Sequence, residues 1–161
     1  MLRIRERGDD NKRFWHIAVD DGTADRVRAW RVKSAPPLPD ATAVSAALGW
    51  PVTAAPEASP HPLAVHGASR TFITPDGGRL ITAWIRPSEL EAHRHMPTSL
   101  ATPASGIGEE SYRSPMGGGL VSRAGGNVLM VVATLPSLDD AQRDRVIATV
   151  ARLTFAGATA R

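Results

Sequence analysis

The feature that most constrains the fold is a glycine-punctuated apolar stretch within residues 106–134. Two β-branched and aliphatic runs, 119–123 and 127–132, are separated there by Ala124-Gly125-Gly126. Because glycine adopts positive φ angles without steric cost, such a short connection between two such runs predicts a β-hairpin. The second run is apolar at consecutive positions, which is typical of a strand with both faces covered. We therefore predict that 127–132 is a central strand.

A long helix is predicted after this strand, over residues 138–153. Ser137 has an acidic residue, Asp140, three positions later, which is the spacing of a helix N-cap and its partner. Apolar residues then recur along one side of the helix, at Ala141, Val146, Val150 and Leu153. We expect this apolar stripe to pack on the sheet.

Local signals also predict two short helices earlier in the chain. Asp40 can cap a helix at 41–48, and Gly49 follows at the position where a left-handed C-cap is expected. The second helix is predicted to open on a capping box formed by Ser88 and Glu91. Either helix could help to cover the sheet face that the C-terminal helix leaves open.

A second hairpin is predicted from residues 68–74 and 79–85, joined by the four residues Pro75-Asp76-Gly77-Gly78. Thr74 then pairs with Arg79, and the alternation of side chains along a strand sorts the residues between two faces. One face carries Thr71, Ile73, Leu80, Thr82 and Trp84, and the other carries Phe72, Ile81, Ala83 and Ile85.

Residues 1–33 are predicted to form a three-stranded β meander, because apolar and polar residues alternate between turn sequences rich in Asp, Asn and Gly. With the two hairpins this predicts an α+β fold: an antiparallel sheet of hairpins with a C-terminal helix packed on one face. The 161 residues suit one domain, in which the meander at 1–33 is distinct from an α+β core at 38–155. A second copy of the protein could cover the other face, so a homodimer is one expected solution.

The charge distribution bears on nucleic-acid binding. The net charge is +3, and the whole excess lies in residues 1–33, which hold nine Lys or Arg and six Asp or Glu. In the rest of the chain, basic and acidic residues are equal in number, which argues against a broad basic surface that neutralises many phosphates. Weak nucleic-acid binding through the meander stays open as an alternative, with Arg3, Arg5, Arg7, Arg26, Arg28 and Arg31 as its candidate residues.

Several segments together carry a resemblance to a known family: the helix end at 46–49, the hairpin at 69–85, the motif Gly106-Ile107-Gly108-Glu109-Glu110-Ser111-Tyr112, the strand pair at 117–132 and the helix after 138–140. In this order they resemble a family of actinobacterial secreted lipoproteins of unknown function, similar in plan to the extracellular sensor-like domains of some bacterial kinases. The resemblance implies no catalytic residues. Family members carry a lipid-anchor cysteine and a cysteine pair, whereas the corresponding places here are Pro39-Asp40 and Ser69-Arg70.

The sequence contains no recognisable nucleophile elbow, phosphate-binding loop or metal-ligand cluster. His93 and His95 come nearest to a metal site, but side chains two apart on a helix point in different directions. The lack of cysteine excludes a thiolate nucleophile and a Cys-ligated zinc. We therefore predict no cofactor, no metal and no catalytic residues.

The leading hypothesis is a non-catalytic binding module for a protein partner or an apolar small molecule. The chain has a predicted sheet, long loops and aromatic residues, but no set of reactive side chains typical of an active site. The alternative is a small cofactor-free isomerase or cyclase of a biosynthetic pathway. Its acid–base group would be a carboxylate such as Glu109 or Glu110, a tyrosine or a histidine. For the two glutamates, an ion pair with an arginine is the simpler interpretation.

The ligand site is predicted between two long loops, 51–62 and 97–108, which flank the hairpins in sequence. Its predicted contacts are Trp84 and Met130 as the floor and Glu109 and Tyr112 as the polar groups.

No apolar run approaches the length of a membrane span, and no signal peptide is recognisable. A cytoplasmic location is the simplest expectation, with export expected only if a leader segment has been removed.

Overall fold

The computed structural model describes residues 3–9, 12–18, 35–56, 58–114 and 118–159. The chain divides into two compact units, Met1–Ser34 and Ala35–Arg161. In the first unit, strand β1 (Arg3–Asp9) pairs antiparallel with strand β2 (Lys12–Ala18). The third predicted strand of the meander, 27–32, lies outside the described residues.

The described part of the second unit contains a seven-stranded antiparallel sheet and three helices. Its strands are β3 (Thr53–Ala54), β4 (Ala64–Ile73), β5 (Arg79–Ile85), β6 (Thr102–Ala104), β7 (Glu110–Ser114), β8 (Gly119–Ala124) and β9 (Asn127–Thr134). The helices are α1 (Ala41–Leu48), α2 (Pro87–Arg94) and α3 (Asp140–Thr159). The predicted α+β fold, with the C-terminal helix packed on an antiparallel sheet, is confirmed.

The strands lie across the sheet in the order β3-β4-β5-β9-β8-β7-β6, so β9 is central as predicted. The two strands of the N-terminal unit pair with each other in a sheet of their own. The seven-stranded sheet therefore differs from the predicted one, which included the meander. Its edges are instead the short strands β3 and β6, which come from segments predicted to be irregular loops. Short edge strands limit pairing with other chains.

The β4–β5 hairpin differs from the prediction by one residue of register. Ile73 pairs with Arg79, because Pro75-Asp76-Gly77 forms a three-residue loop in which Gly77 has a φ of 81°. Thr74 lies opposite Gly78, and its N–H donates to the Gly78 oxygen at 3.0 Å. A shift of one residue exchanges the faces of a strand. Phe72 therefore shares a face with Leu80, Thr82 and Trp84, whereas Thr71 and Ile73 share the opposite face with Ile81, Ala83 and Ile85.

Each face of the sheet buries its own apolar cluster. Helices α1 and α3 cover one face, where Leu129 and Val131 of β9 are fully buried. Helix α2 covers part of the other face, where Leu90 packs near Met130. Full burial of a large aliphatic side chain is worth about 1.5–3 kcal/mol. The face under α3 has the larger cluster and therefore supplies most of the hydrophobic stabilisation.

Helix α1 has the predicted bounds and caps. Asp40 Oδ1 accepts a 2.8 Å hydrogen bond from the Ala43 N–H, and Gly49 ends the helix with a φ of 77°. The capping box predicted for α2 is wrong, because Pro87 occupies the first helical position and Arg86 is the N-cap without a side-chain bond. Proline suits that position because its missing N–H would have no partner within the helix.

Helix α3 begins at Asp140, so the prediction of Ser137 as its cap is wrong. The capping box is formed by Asp139 and Gln142: the Gln142 N–H donates to Asp139 Oδ1 at 2.7 Å, and the Asp139 N–H donates to Gln142 Oε1 at 3.0 Å. The Ser137 hydroxyl donates to Asp76 at the tip of the β4–β5 hairpin instead. None of the helices in the described ranges is long and apolar enough to cross a membrane.

Candidate functional site

The two residues predicted as the floor of a ligand site lie on opposite faces of the sheet. Trp84 packs under α3 against Phe155, with ring centroids 6.0 Å apart, and its Nε1 donates to the Pro36 oxygen at 2.6 Å. Met130 packs on the α2 face beside Ala83. Because the sheet separates these side chains, Trp84 and Met130 cannot line one pocket.

The two loops predicted to form one rim also lie apart. The loop at 51–62 contains β3 and the loop at 97–108 contains β6, which are the two opposite edges of the sheet. Counted along the sheet, six strand spacings of about 4.8 Å, or about 29 Å in total, lie between those edges. The prediction of a single rim is therefore wrong.

The predicted polar contacts, Glu109 and Tyr112, belong to an ion-pair cluster between β7 and α2. Glu110 is its centre: its two carboxylate oxygens accept hydrogen bonds from Nε and Nη2 of Arg94, each 2.8 Å long. The Tyr112 hydroxyl donates to the same carboxylate at 3.0 Å, and Nη2 of Arg123 lies 3.5 Å from it. Glu109 is exposed and accepts a 3.0 Å bond from the Gly125 N–H.

This geometry fixes the protonation state of Glu110. The hydrogen bonds from Arg94, with a smaller contribution from Tyr112, lower the pKa of the Glu110 carboxyl from 4.5 to about 2. A general acid or base works best with a pKa near the operating pH, so a permanently ionised carboxylate suits that role poorly. The cluster is better explained as a tie between α2 and the sheet than as an acid–base centre.

The histidines of α2 do not form part of a metal-binding group. His93 Nδ1 lies 2.7 Å from the Glu89 oxygen, and His95 is the C-cap residue of the helix. Across the described ranges, no three His, Asp or Glu side chains come together as possible metal ligands.

A groove of about 260 Å³ lies between the C-terminal end of α1 and the N-terminal half of α3. Its apolar lining residues are Ala47, Leu48, Trp50, Leu138 and Val146. Its polar lining residues are Gln142, Arg145 and Thr149, all from α3. These positions recur every three or four residues and therefore lie on one side of the helix.

The turn after α1 places Trp50 at the edge of this groove. The left-handed conformation of Gly49 reverses the chain direction, and the Ser45 hydroxyl then accepts a 2.9 Å bond from the Val52 N–H. Val44 and Val52 are buried and anchor both sides of the turn. Trp50 is half-buried against the apolar cluster under α3 and lines the groove.

The groove carries a positive charge. Among the described residues that line it, Arg145 is the one charged side chain. The positions three and four residues from Arg145 on α3 are Ala or uncharged polar residues, so no acid on the same helix face neutralises it. Helix α1 has no charged residue at all.

None of the residues that line the groove belongs to the predicted ligand site. The local signal was the Gly49-Trp50-Pro51 turn, which predicts an aromatic ring against the last turn of the helix. The second wall comes from residues almost a hundred positions later, and no local pattern indicates that the two helices meet.

No family model, no curated protein and no solved structure matches this chain. The resemblance to a lipoprotein family therefore stays a prediction. Nucleic-acid binding also stays a prediction: Arg3, Arg5 and Arg7 lie on β1, and Arg26, Arg28 and Arg31 lie outside the described residues. We therefore base the functional proposal on the groove, which lies in the second unit.

Proposed function

We propose that the protein is a non-catalytic binding module that holds an apolar small molecule in the groove between α1 and α3. The observation that supports this proposal is a concave surface with a half-buried tryptophan, Trp50, among apolar neighbours and a few polar groups of α3. Small-molecule sites usually have this composition, and they often lie between helices.

The size of the groove limits the ligand. A volume of about 260 Å³ lies just below the range of about 300–1,000 Å³ that is usual for ligand pockets, so the groove suits a ligand smaller than a drug, of about ten non-hydrogen atoms. A stable protein interface buries more than about 1,000 Å², so a groove this small favours a small molecule over a protein partner. At about 0.4–0.8 kcal/mol for each ligand atom, the dissociation constant would lie between about 1 mM and 1 μM.

The test uses the indole N–H signals of ¹⁵N-labelled protein in NMR spectra. Trp50→Phe identifies the signal of Trp50 by its disappearance, and Trp84, buried under α3, provides an internal reference. Alkyl and aryl compounds of about ten non-hydrogen atoms are titrated, and the proposal expects saturable shifts of the Trp50 signal with the Trp84 signal unmoved. If no compound shifts the Trp50 signal, or if all compounds move both signals alike, the proposal fails.

A further inference from the structure

The charge of the groove points to the chemistry of its ligand. Arg145 is the charged group among the described lining residues, and it lies within the same concave surface as the apolar side chains. The acids nearest to it in sequence have other partners: Asp144 accepts a 2.6 Å bond from Arg113 of β7, and Asp140 pairs with Arg143. Neither of these acids therefore competes for the guanidinium group of Arg145, which is exposed and can reach a group bound in the groove.

We infer that the ligand is a small amphiphilic carboxylate, with its apolar tail against Trp50 and its carboxylate on Arg145. This inference rests on the proposed function and adds the class of ligand. The guanidinium group presents parallel N–H donors that match the two oxygens of a carboxylate. A neutral ligand would leave these donors to water and gain nothing from the charge.

Two neighbours of Arg145 can complete the anion site. Gln142 and Thr149, three residues before it and four after it, line the groove on the same side of α3. The Gln142 amide and the Thr149 hydroxyl can each donate a hydrogen bond to a carboxylate oxygen. The opposite wall, formed by the uncharged helix α1, supplies apolar contacts and no acidic side chain that would repel the anion.

The experiment compares octanoate with octanamide, two probes of the same shape that differ in charge. Their dissociation constants are measured from the Trp50 indole shift for the wild type, for Arg145→Gln and for Arg79→Gln. Arg79 is the matched control, because it is an exposed arginine at the start of β5 and does not line the groove. Both substitutions remove one positive charge, so they change the net charge of the protein equally.

We expect the wild type and Arg79→Gln to bind octanoate up to about fivefold more tightly than octanamide, since an ion pair with an exposed side chain such as Arg145 is worth about that factor. Arg145→Gln should lose this preference by weakening octanoate binding while leaving octanamide binding unchanged. Equal binding of both probes to the wild type would overturn the inference and leave the groove proposal standing. An equal loss in both arginine variants would also overturn it, because the preference would then come from net charge. No response of Trp50 to either probe would overturn the proposed function itself.

Discussion

Arg94 of α2 and Glu110 of β7 are joined by two hydrogen bonds, from Nε to Oε1 and from Nη2 to Oε2, each 2.8 Å long. This two-point geometry fixes the planes of both groups and is stronger than a single contact. The pair connects the end of α2 to an outer strand, so it secures the helix on the sheet face that α3 does not cover.

The first prediction concerns the stability of the protein in acid. The folded-state pKa of Glu110 is lowered from 4.5 to about 2, so its ion pair stabilises the fold fully above pH 4.5 and is lost as the pH falls towards 2. Glu110→Gln removes the titrating group. We therefore expect urea unfolding to show a smaller loss of stability between pH 5 and pH 2.5 for Glu110→Gln than for the wild type.

Asp76, whose pKa is also lowered to about 2, titrates in the same range in both proteins and contributes equally to the two curves. The wild type should therefore still lose stability in acid faster than Glu110→Gln. Identical pH dependence in the two proteins would show that the Arg94–Glu110 pair does not stabilise the fold.

The second prediction separates the ion-pair cluster from the groove. Tyr112→Phe removes the hydroxyl that donates to Glu110, so the pKa of Glu110 should rise, as measured by NMR titration of its side-chain carboxyl carbon. Tyr112 packs with the apolar cluster on the α2 face, whereas the groove lies beside α3. The affinity for groove ligands should therefore stay within about twofold of the wild type. A large loss of affinity would place Tyr112 in the binding site after all.

The third prediction concerns the start of α3. Asp139→Ala should lower the free energy of unfolding by about 1 kcal/mol, because it removes the side-chain cap, whereas Asp139→Asn should cost only a few tenths. Ser88→Ala is the control, since the capping box predicted there does not form. Equal effects of the alanine and asparagine variants in chemical unfolding would contradict the cap at Asp139.

The fourth prediction compares the two faces of the central strand. Val131 is fully buried under α3, and its neighbour Val132 is half-buried on the α2 face. Val131→Ala should cost about 2 kcal/mol or more, because it removes two buried methyl groups and leaves a cavity. Val132→Ala makes the same change in β-propensity and should cost less than about 1 kcal/mol. Equal costs would mean that the two faces are equally well packed.

Elements with local signals could be predicted from the sequence. Helix α1 has its capping Asp40 and its left-handed Gly49 within one short segment, and the β8–β9 hairpin turns on Gly125 and Gly126, which both have positive φ. The exchange of faces in β4 has a local cause: the hairpin has a three-residue loop where four residues were predicted, and the two loop lengths differ by one position of register.

Elements that depend on distant contacts could not be predicted. Ser137 has the sequence spacing of a helix cap, but its hydroxyl bonds to Asp76, which lies 61 positions earlier. The candidate site also depends on contacts between residues that are distant in sequence. Trp50 and Arg145 line one groove because α1 packs on α3, and that packing depends on how both helices lie on the sheet. The predicted site placed Trp84 and Met130 on one floor. Whether two side chains on paired strands share a face depends on the register of the pair, and that register could not be read from the sequence.

The measurement that tests the groove most directly is ligand binding to Ala47→Phe and Ala46→Phe. Both alanines are exposed in α1, but only Ala47 lines the groove, so the two variants match in helix propensity and differ in where the added ring lies. We predict that Ala47→Phe weakens octanoate binding at least tenfold, whereas Ala46→Phe binds like the wild type, and that the two variants have the same thermal stability as each other. If Ala47→Phe binds octanoate as tightly as Ala46→Phe does, the ligand does not occupy the groove between α1 and α3.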